Sequence, residues 1–175
     1  CSSSNKAGIL LHPKGSSYDE DLTFNQASFY FTVKGEMRDV CNISGDIAVS
    51  NGVVIFENLR LSGDIAVTGG TAVFINCYRN SGAFSLSNGA TAIIANCENF
   101  GKVAVTGNNN TLWIENVGSM EKDNGTSRSV DLAVGMTGGT YIVRDTRFEG
   151  TIYEGTALSE APDNCVQSAT ARPNY

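Results

Sequence analysis

The sequence has little histidine, tryptophan or proline: one, one and three residues among 175. A single histidine excludes a multi-histidine metal centre. No run approaches the roughly 18 consecutive apolar residues of a membrane-crossing helix. There is no basic block either. Lys+Arg total 12 against 18 Asp+Glu, a formal net charge of −6, which argues against nucleic acid and against an anionic membrane surface as partners. Disorder is also excluded, because 41% of the residues are apolar and only 17% charged, enough to bury a core. The length suits one domain with tails.

Cysteines stand at 1, 41, 77, 97 and 165, and no CxxC spacing points to zinc or redox chemistry. The opening Cys1-Ser2-Ser3-Ser4-Asn5 resembles the mature start of a bacterial lipoprotein. That resemblance implies lipid on Cys1 followed by a polar tether, and leaves an even number of cysteines, as an oxidising compartment favours. The alternative is that Cys1 is merely the first residue. Asn42, Asn109 and Asn124 open Asn-x-Ser/Thr triplets, which are either glycan acceptors or ordinary Asn-rich turns. The expected location is extracellular or at the cell surface, with membrane contact only through a lipid on Cys1.

The middle of the chain repeats every 18 to 20 residues. Gly45-Asp46-Ile47-Ala48-Val49 and Gly63-Asp64-Ile65-Ala66-Val67 each lead through an Asn-Gly or Gly-Gly turn into a second apolar run, Val53–Phe56 or Thr71–Ile75. Copies follow at Gly82, Gly101 and, after an insertion, Val130. Such turns between strands also signal antiparallel hairpins. Columns of like residues favour coils stacked in parallel: Asn58, Asn76, Asn96 and Asn116, then Asp145, form a ladder suited to a left-handed bend. The unit, closing on Asn and then Ser-Gly, resembles coils of the right-handed parallel β-helix, the pectate-lyase-like fold, over residues 40–150. The expectation is an all-β, short, single-stranded right-handed solenoid of about five to six coils with capping segments at both ends. Its parts are a tether or arm (1–20), a β-helix (21–150) and a C-terminal capping tail (151–175).

Alternation assigns the faces. In the first run of each coil, Ile47/Val49, Ile65/Val67, Phe84/Leu86, Val103/Val105 and Leu132/Val134 point inward. Ala48, Ala66, Ser85, Ala104 and Ala133 form a flat outer face of small residues, led by Asp46, Asp64, Ala83, Lys102 and Asp131. In the second run, Phe56, Phe74, Ile94, Ile114 and Val143 can form an inward column and the opposite parity holds Ile55, Val73, Ile93, Trp113 and Ile142; whichever parity faces in, an apolar column faces out. Five such side chains, at about 1.5–3 kcal/mol each, are too costly to leave wet. Either the termini cover them, using Leu10, Leu11, Phe24 or Phe29–Phe31, or a partner does; on the second reading these five are interface residues.

Catalytic chemistry is thin. The resemblance implies that an enzyme of this fold would show clustered carboxylates and an Arg or Lys base. Here only Asp46, Asp64 and Asp131 recur, more simply a solvated surface than a metal site. His12 has no sequence neighbour to work with, and the 120–129 insertion reads as a projecting polar loop. Cys77 and Cys97, one coil apart, fall at a spacing that permits a disulfide or a stack of reduced thiols. Oxidised, Cys41 and Cys165 would staple the termini. No enzyme activity, cofactor or metal is expected. The favoured reading is a structural or adhesive surface protein that binds itself or another surface protein through a flat face. Carbohydrate binding, or degradation, and a trimeric virion fibre are the alternatives, and a glycan partner stays open.

Overall fold

The computed structural model describes residues 5–79, 81–121, 128–133, 136–154, 156–157 and 165–166, with side chains over 6–79, 81–121, 129–133 and 136–150. Cys1, Asn124, Val134 and the side chain of Cys165 lie outside the described residues, as does most of the 120–129 insertion.

Every described element is a strand, and the strands stack into a parallel β-solenoid of about 6 turns. Three sheets run along its axis. The wide sheet holds Asn5–Leu11, Phe29–Gly35, Val53–Glu57, Thr71–Ile75, Thr91–Ala95, Thr111–Glu115, Thr140–Arg144 and Cys165–Val166. The short sheet holds Asn42–Ile43, Arg60–Leu61, Tyr78–Arg79, Asn99–Phe100 and Ser119–Met120. The small-residue sheet holds Leu22–Phe24, Ile47–Val49, Ile65–Val67, Phe84–Ser87, Val103–Thr106, Arg128–Leu132 and Thr151–Glu154, and an antiparallel strand Thr156–Ala157 closes it. In the regular part Val53 pairs with Thr71, Thr71 with Thr91 and Thr91 with Thr111, one repeat per coil. The Asn-Gly and Gly-Gly turns carry the chain round the corner between the small-residue and wide sheets. Gly52, Gly70, Gly89 and Gly107 have positive φ there, and the strands they join lie in different sheets, so a hairpin meander is excluded.

The core is the hollow of the solenoid. Val54, Phe56, Ala72, Phe74, Ala92, Ile94, Leu112 and Ile114 line it from the wide sheet, and Ile47, Val49, Ile65, Val67, Phe84, Leu86, Val103 and Val105 from the small-residue sheet. Aromatic rings run along the axis: Phe24 packs on Phe31 and Phe56, Phe56 stacks on Phe74 at 5.1 Å, and Phe74 meets Phe84 and Phe100 edge-on. The N-terminal segment extends the sheets rather than lying across them. Asn5–Leu11 pairs in parallel with Phe29–Gly35, and Leu22–Phe24 with Ile47–Val49.

The bends obey the repeat. Asn58, Asn76, Asn96, Asn116 and Asp145 all take left-handed φ, between 45° and 56°, where short polar side chains are tolerated. The ladder is half-buried at Asn58 and Asn76 and exposed at Asn96 and Asn116. Its amides still join along the axis: Asn76 Nδ2 donates to Asn58 Oδ1 at 2.7 Å and Asn116 Nδ2 to Asn96 Oδ1 at 3.0 Å. At the next corner the Ser-Gly pairs allow close stacking. A Cβ on Gly63 would fall 2.2 Å from the carbonyl oxygen of Gly45, a separation no side chain tolerates.

One sequence expectation needs correction, and one choice the sequence leaves open is settled. Val130 and Leu132, not Leu132 and Val134, pair with Val103 and Val105, so Asp131 sits beside Ala104 in the small-residue column. A two-residue slip keeps every apolar side chain inward, because the strand period is two, and the insertion before it hides the slip in the sequence. The second concerns sulfur. Cys41, Cys77 and Cys97 are free, buried thiols, and the Cys77–Cys97 disulfide is not formed. Cys41 Sγ donates to the Leu11 carbonyl at 3.2 Å and Cys77 Sγ to that of Phe56 at 3.4 Å. Burial pushes the Cys77 thiol well above its ordinary range and the Cys97 thiol up to about 12.

Candidate functional site

Three outer faces result, and they differ in chemistry. On the wide sheet, threonines at 71, 91, 111 and 140 form one outward column. Beside it runs Ile55, Val73, Ile93, Trp113 and Ile142. Val73 and Ile93 are 0% exposed, Trp113 2% and Ile142 7% within the single chain, while Ile55 is half-buried. They form a second apolar cluster, joined by Ile75. The Trp113 indole N–H donates to Glu115 Oε2 at 2.9 Å, which satisfies the ring's one polar atom. Solvent is thus excluded from most of this column before any second molecule arrives.

The small-residue face is different. Ala48, Ala66, Ser85 and Ala104 are half-exposed, with Thr23 exposed at the N-terminal end of the column. Asp21, Asp46 and Asp64 border them. Asp21 Oδ1 accepts the N–H of Asp46 at 2.8 Å, Asp46 Oδ1 that of Asp64 at 2.9 Å, and Asp64 Oδ1 that of Ala83 at 2.7 Å. Each carboxylate therefore ties its coil to the next, and its negative charge is spent partly on backbone donors. Further along, Lys102 Nζ lies 3.3 Å from Asp131. A shallow groove of about 300 Å³ runs between the aspartates and the alanines, floored by Ala48 and Ala66 and ended by Ser85. Of the expected acidic residues, Asp46 and Asp64 come together and Asp131 does not join them. Asp21 takes its place, and the signal for it is the pattern Asp21-Leu22-Thr23-Phe24 matching Asp46-Ile47-Ala48-Val49.

His12 is exposed and its Nδ1 lies 2.9 Å from Glu36 Oε2. Arg38 reaches across the Asn ladder, with Nη1 3.4 Å from Asn76 Oδ1 and Nη2 2.7 Å from Glu98 Oε2.

One residue the sequence does not flag is Arg79, fully buried in the hollow. It occupies the inward column that Leu61 and Phe100 fill in neighbouring coils. Its guanidinium lies 5.7 Å from the Phe84 ring and 5.6 Å from the Phe100 ring, and Nη2 donates to the Gly82 carbonyl at 2.7 Å. Nε and Nη1 have no hydrogen-bond partner among the described residues. Burial pulls its pKa down to about 10, against the pull of Asp64 and Glu121. A Cβ on Gly101 would sit 2.7 Å from Nη1, so glycine there makes room for the cation.

Fold and faces together define a parallel β-solenoid with one covered apolar face and one open face of small residues. Compared with protein-family models, curated proteins and solved structures, the chain matches none.

Proposed function

We propose that this solenoid is a non-enzymatic structural or adhesive protein, displayed outside the cytosol, that docks with itself or another surface protein through its flat small-residue face. The observation that supports this reading is the contrast between faces. The apolar outer column of the wide sheet is shielded within one chain, whereas Ala48, Ala66, Ser85 and Ala104 stay accessible along successive coils. Small side chains on a sheet let another surface approach closely with little side-chain entropy to lose. The finer likeness belongs to the same reading: the right-handed pectate-lyase-like β-helix rests on the repeat unit.

The test is association as a function of concentration, read by light scattering, for the native chain and for Ala66→Arg. Ala66 points outward, so the variant keeps its core. The expected result is assembly that Ala66→Arg abolishes with an unchanged melting temperature. A native protein that stays monomeric, and that binds cells and matrix no less well with Arg at 66, overturns the proposal.

A further inference from the structure

The third face carries a site of its own, separate from the small-residue face. Asn42, Arg60 and Tyr78 are outward neighbours on adjacent strands of the short sheet. The Arg60 guanidinium lies over the Tyr78 ring at 5.1 Å. It is half-buried, and among the described residues it donates to no protein acceptor. A stacked guanidinium is held in one plane with its N–H fork free, the arrangement that receives an oxyanion in a bidentate manner. Arg60 opens onto a concavity of about 550 Å³, which Lys14, Asp39, Asn42, Ser62 and Ser81 also line.

Polar groups around the concavity are spent unevenly. Lys14 gives one hydrogen to the Ser17 carbonyl at 3.2 Å and covers the Tyr18 ring at 5.0 Å, which leaves ammonium hydrogens unused. Asn42 accepts from Ser62 Oγ at 3.2 Å, so its amide hydrogens remain. Asp39, in the lining, is engaged by Arg38 at 3.2 Å, and Asp19, which accepts from Ser17 and Ser44, draws on part of the Lys14 charge, so that among the described residues here Arg60 is the cation without a carboxylate. Cationic donors are therefore in surplus. The serines are the reverse case. Ser62 donates to Asn42 and Ser81 donates to the Ser62 carbonyl at 3.2 Å. Their hydrogens are used, and their oxygens keep lone pairs as acceptors in the lining. A ligand that satisfies both sets carries a negative group for Arg60 and Lys14 and hydroxyl donors for the serine oxygens.

We infer that the short-sheet concavity binds a sulfated or phosphorylated sugar, with the oxyanion on Arg60 and Lys14 and the sugar hydroxyls on Ser62 and Ser81. The chain's net charge of −6 makes a local surplus of cationic donors stand apart from its surroundings.

Calorimetric titration of the whole protein at low ionic strength tests this with three probes: glucosamine 6-sulfate, inorganic sulfate and glucose. The sugar sulfate should bind more tightly than inorganic sulfate, and glucose should not bind. Arg60→Ala should weaken the sugar sulfate at least about ten-fold, and Lys14→Ala by a few-fold. Lys34→Gln, on the wide sheet where Lys34 pairs with Glu57 at 2.7 Å, should bind as the native protein does. Failure of the sugar sulfate to bind at millimolar concentration overturns the inference, as does native affinity in a folded Arg60→Ala. If Arg60→Ala does not fold, native affinity in Lys14→Ala overturns it instead. Inorganic sulfate binding as tightly as the sugar sulfate removes the sugar from the proposal, and glucose binding as tightly removes the anion.

Discussion

The wide sheet and the small-residue sheet are built by the same repeat, coil for coil, yet they meet water differently. Both turn an apolar column inward. Outward, the wide sheet repeats Val73, Ile93 and Trp113, almost fully shielded, while the small-residue sheet repeats Ala48, Ala66 and Ala104, half-exposed. A sheet apolar on both sides behaves as core on both. One apolar on a single side leaves the other for solvent or for a partner. The two faces thus differ in one outward residue per coil, large and apolar on the wide sheet and small on the other.

The sharpest way to break this comparison is a carboxylate in each outer column. Ile93→Asp buries an unpaired charge at a position with 0% exposure and should destabilise the fold by about 3–5 kcal/mol. Urea melts that show less than about 1 kcal/mol would mean the wide face is not core. Next in size is the corner between Thr91–Ala95 and Asn99–Phe100, where burial raises the Cys97 thiol to about 12. A thiol ionises from its usual 9.0 in the unfolded chain but only near 12 in the folded one. Between those values the native state holds the extra proton, so stability falls as pH rises from about 9 to about 12. Cys97→Ala should flatten that part of the stability curve, and native protein should resist thiol reagents until it unfolds. Prompt labelling of Cys77 and Cys97 under native conditions would contradict the buried placement.

Asn76→Leu removes the amide bonded to Asn58 and places a branched side chain at a φ of 51°. It should cost about 1–3 kcal/mol. Asn76→Gly, which accepts that φ, should cost less, and equal losses would assign the effect to the hydrogen bond alone. Smallest is Ala66→Glu, expected within about 0.5 kcal/mol of the native protein. A drop as large as that of Ile93→Asp would mean the two faces are alike after all.

Much of this was legible before any coordinate. The inward columns of the first run, the left-handed Asn positions and the stacking of Cys77 near Cys97 all follow from lining up the repeat. The threonine column at 71, 91, 111 and 140 and the aspartate at 21 were written in the same alignment, but they lie at the ends of runs, where alternation gives no clue to their partners. Asp131 was misplaced by two residues because an insertion precedes it and both registers bury the same kind of side chain. Arg79 is not legible for another reason: an arginine in a strand ordinarily turns to water, and its inward rotamer depends on phenylalanines from two other strands, the Gly82 carbonyl and the space at Gly101.

By itself the sequence determined the period, the alternation of the first run of each coil and the bends, because these depend on spacing along the chain and on the backbone preferences of Asn and Gly. The tertiary structure alone decided which outer column loses its water, that Arg79 lies between Phe84 and Phe100, and that Arg60 stacks on Tyr78 beside Lys14. Those outcomes depend on which residues of distant coils come within a few ångströms of one another. That is a property of how the coils stack and close, not of any repeat read alone.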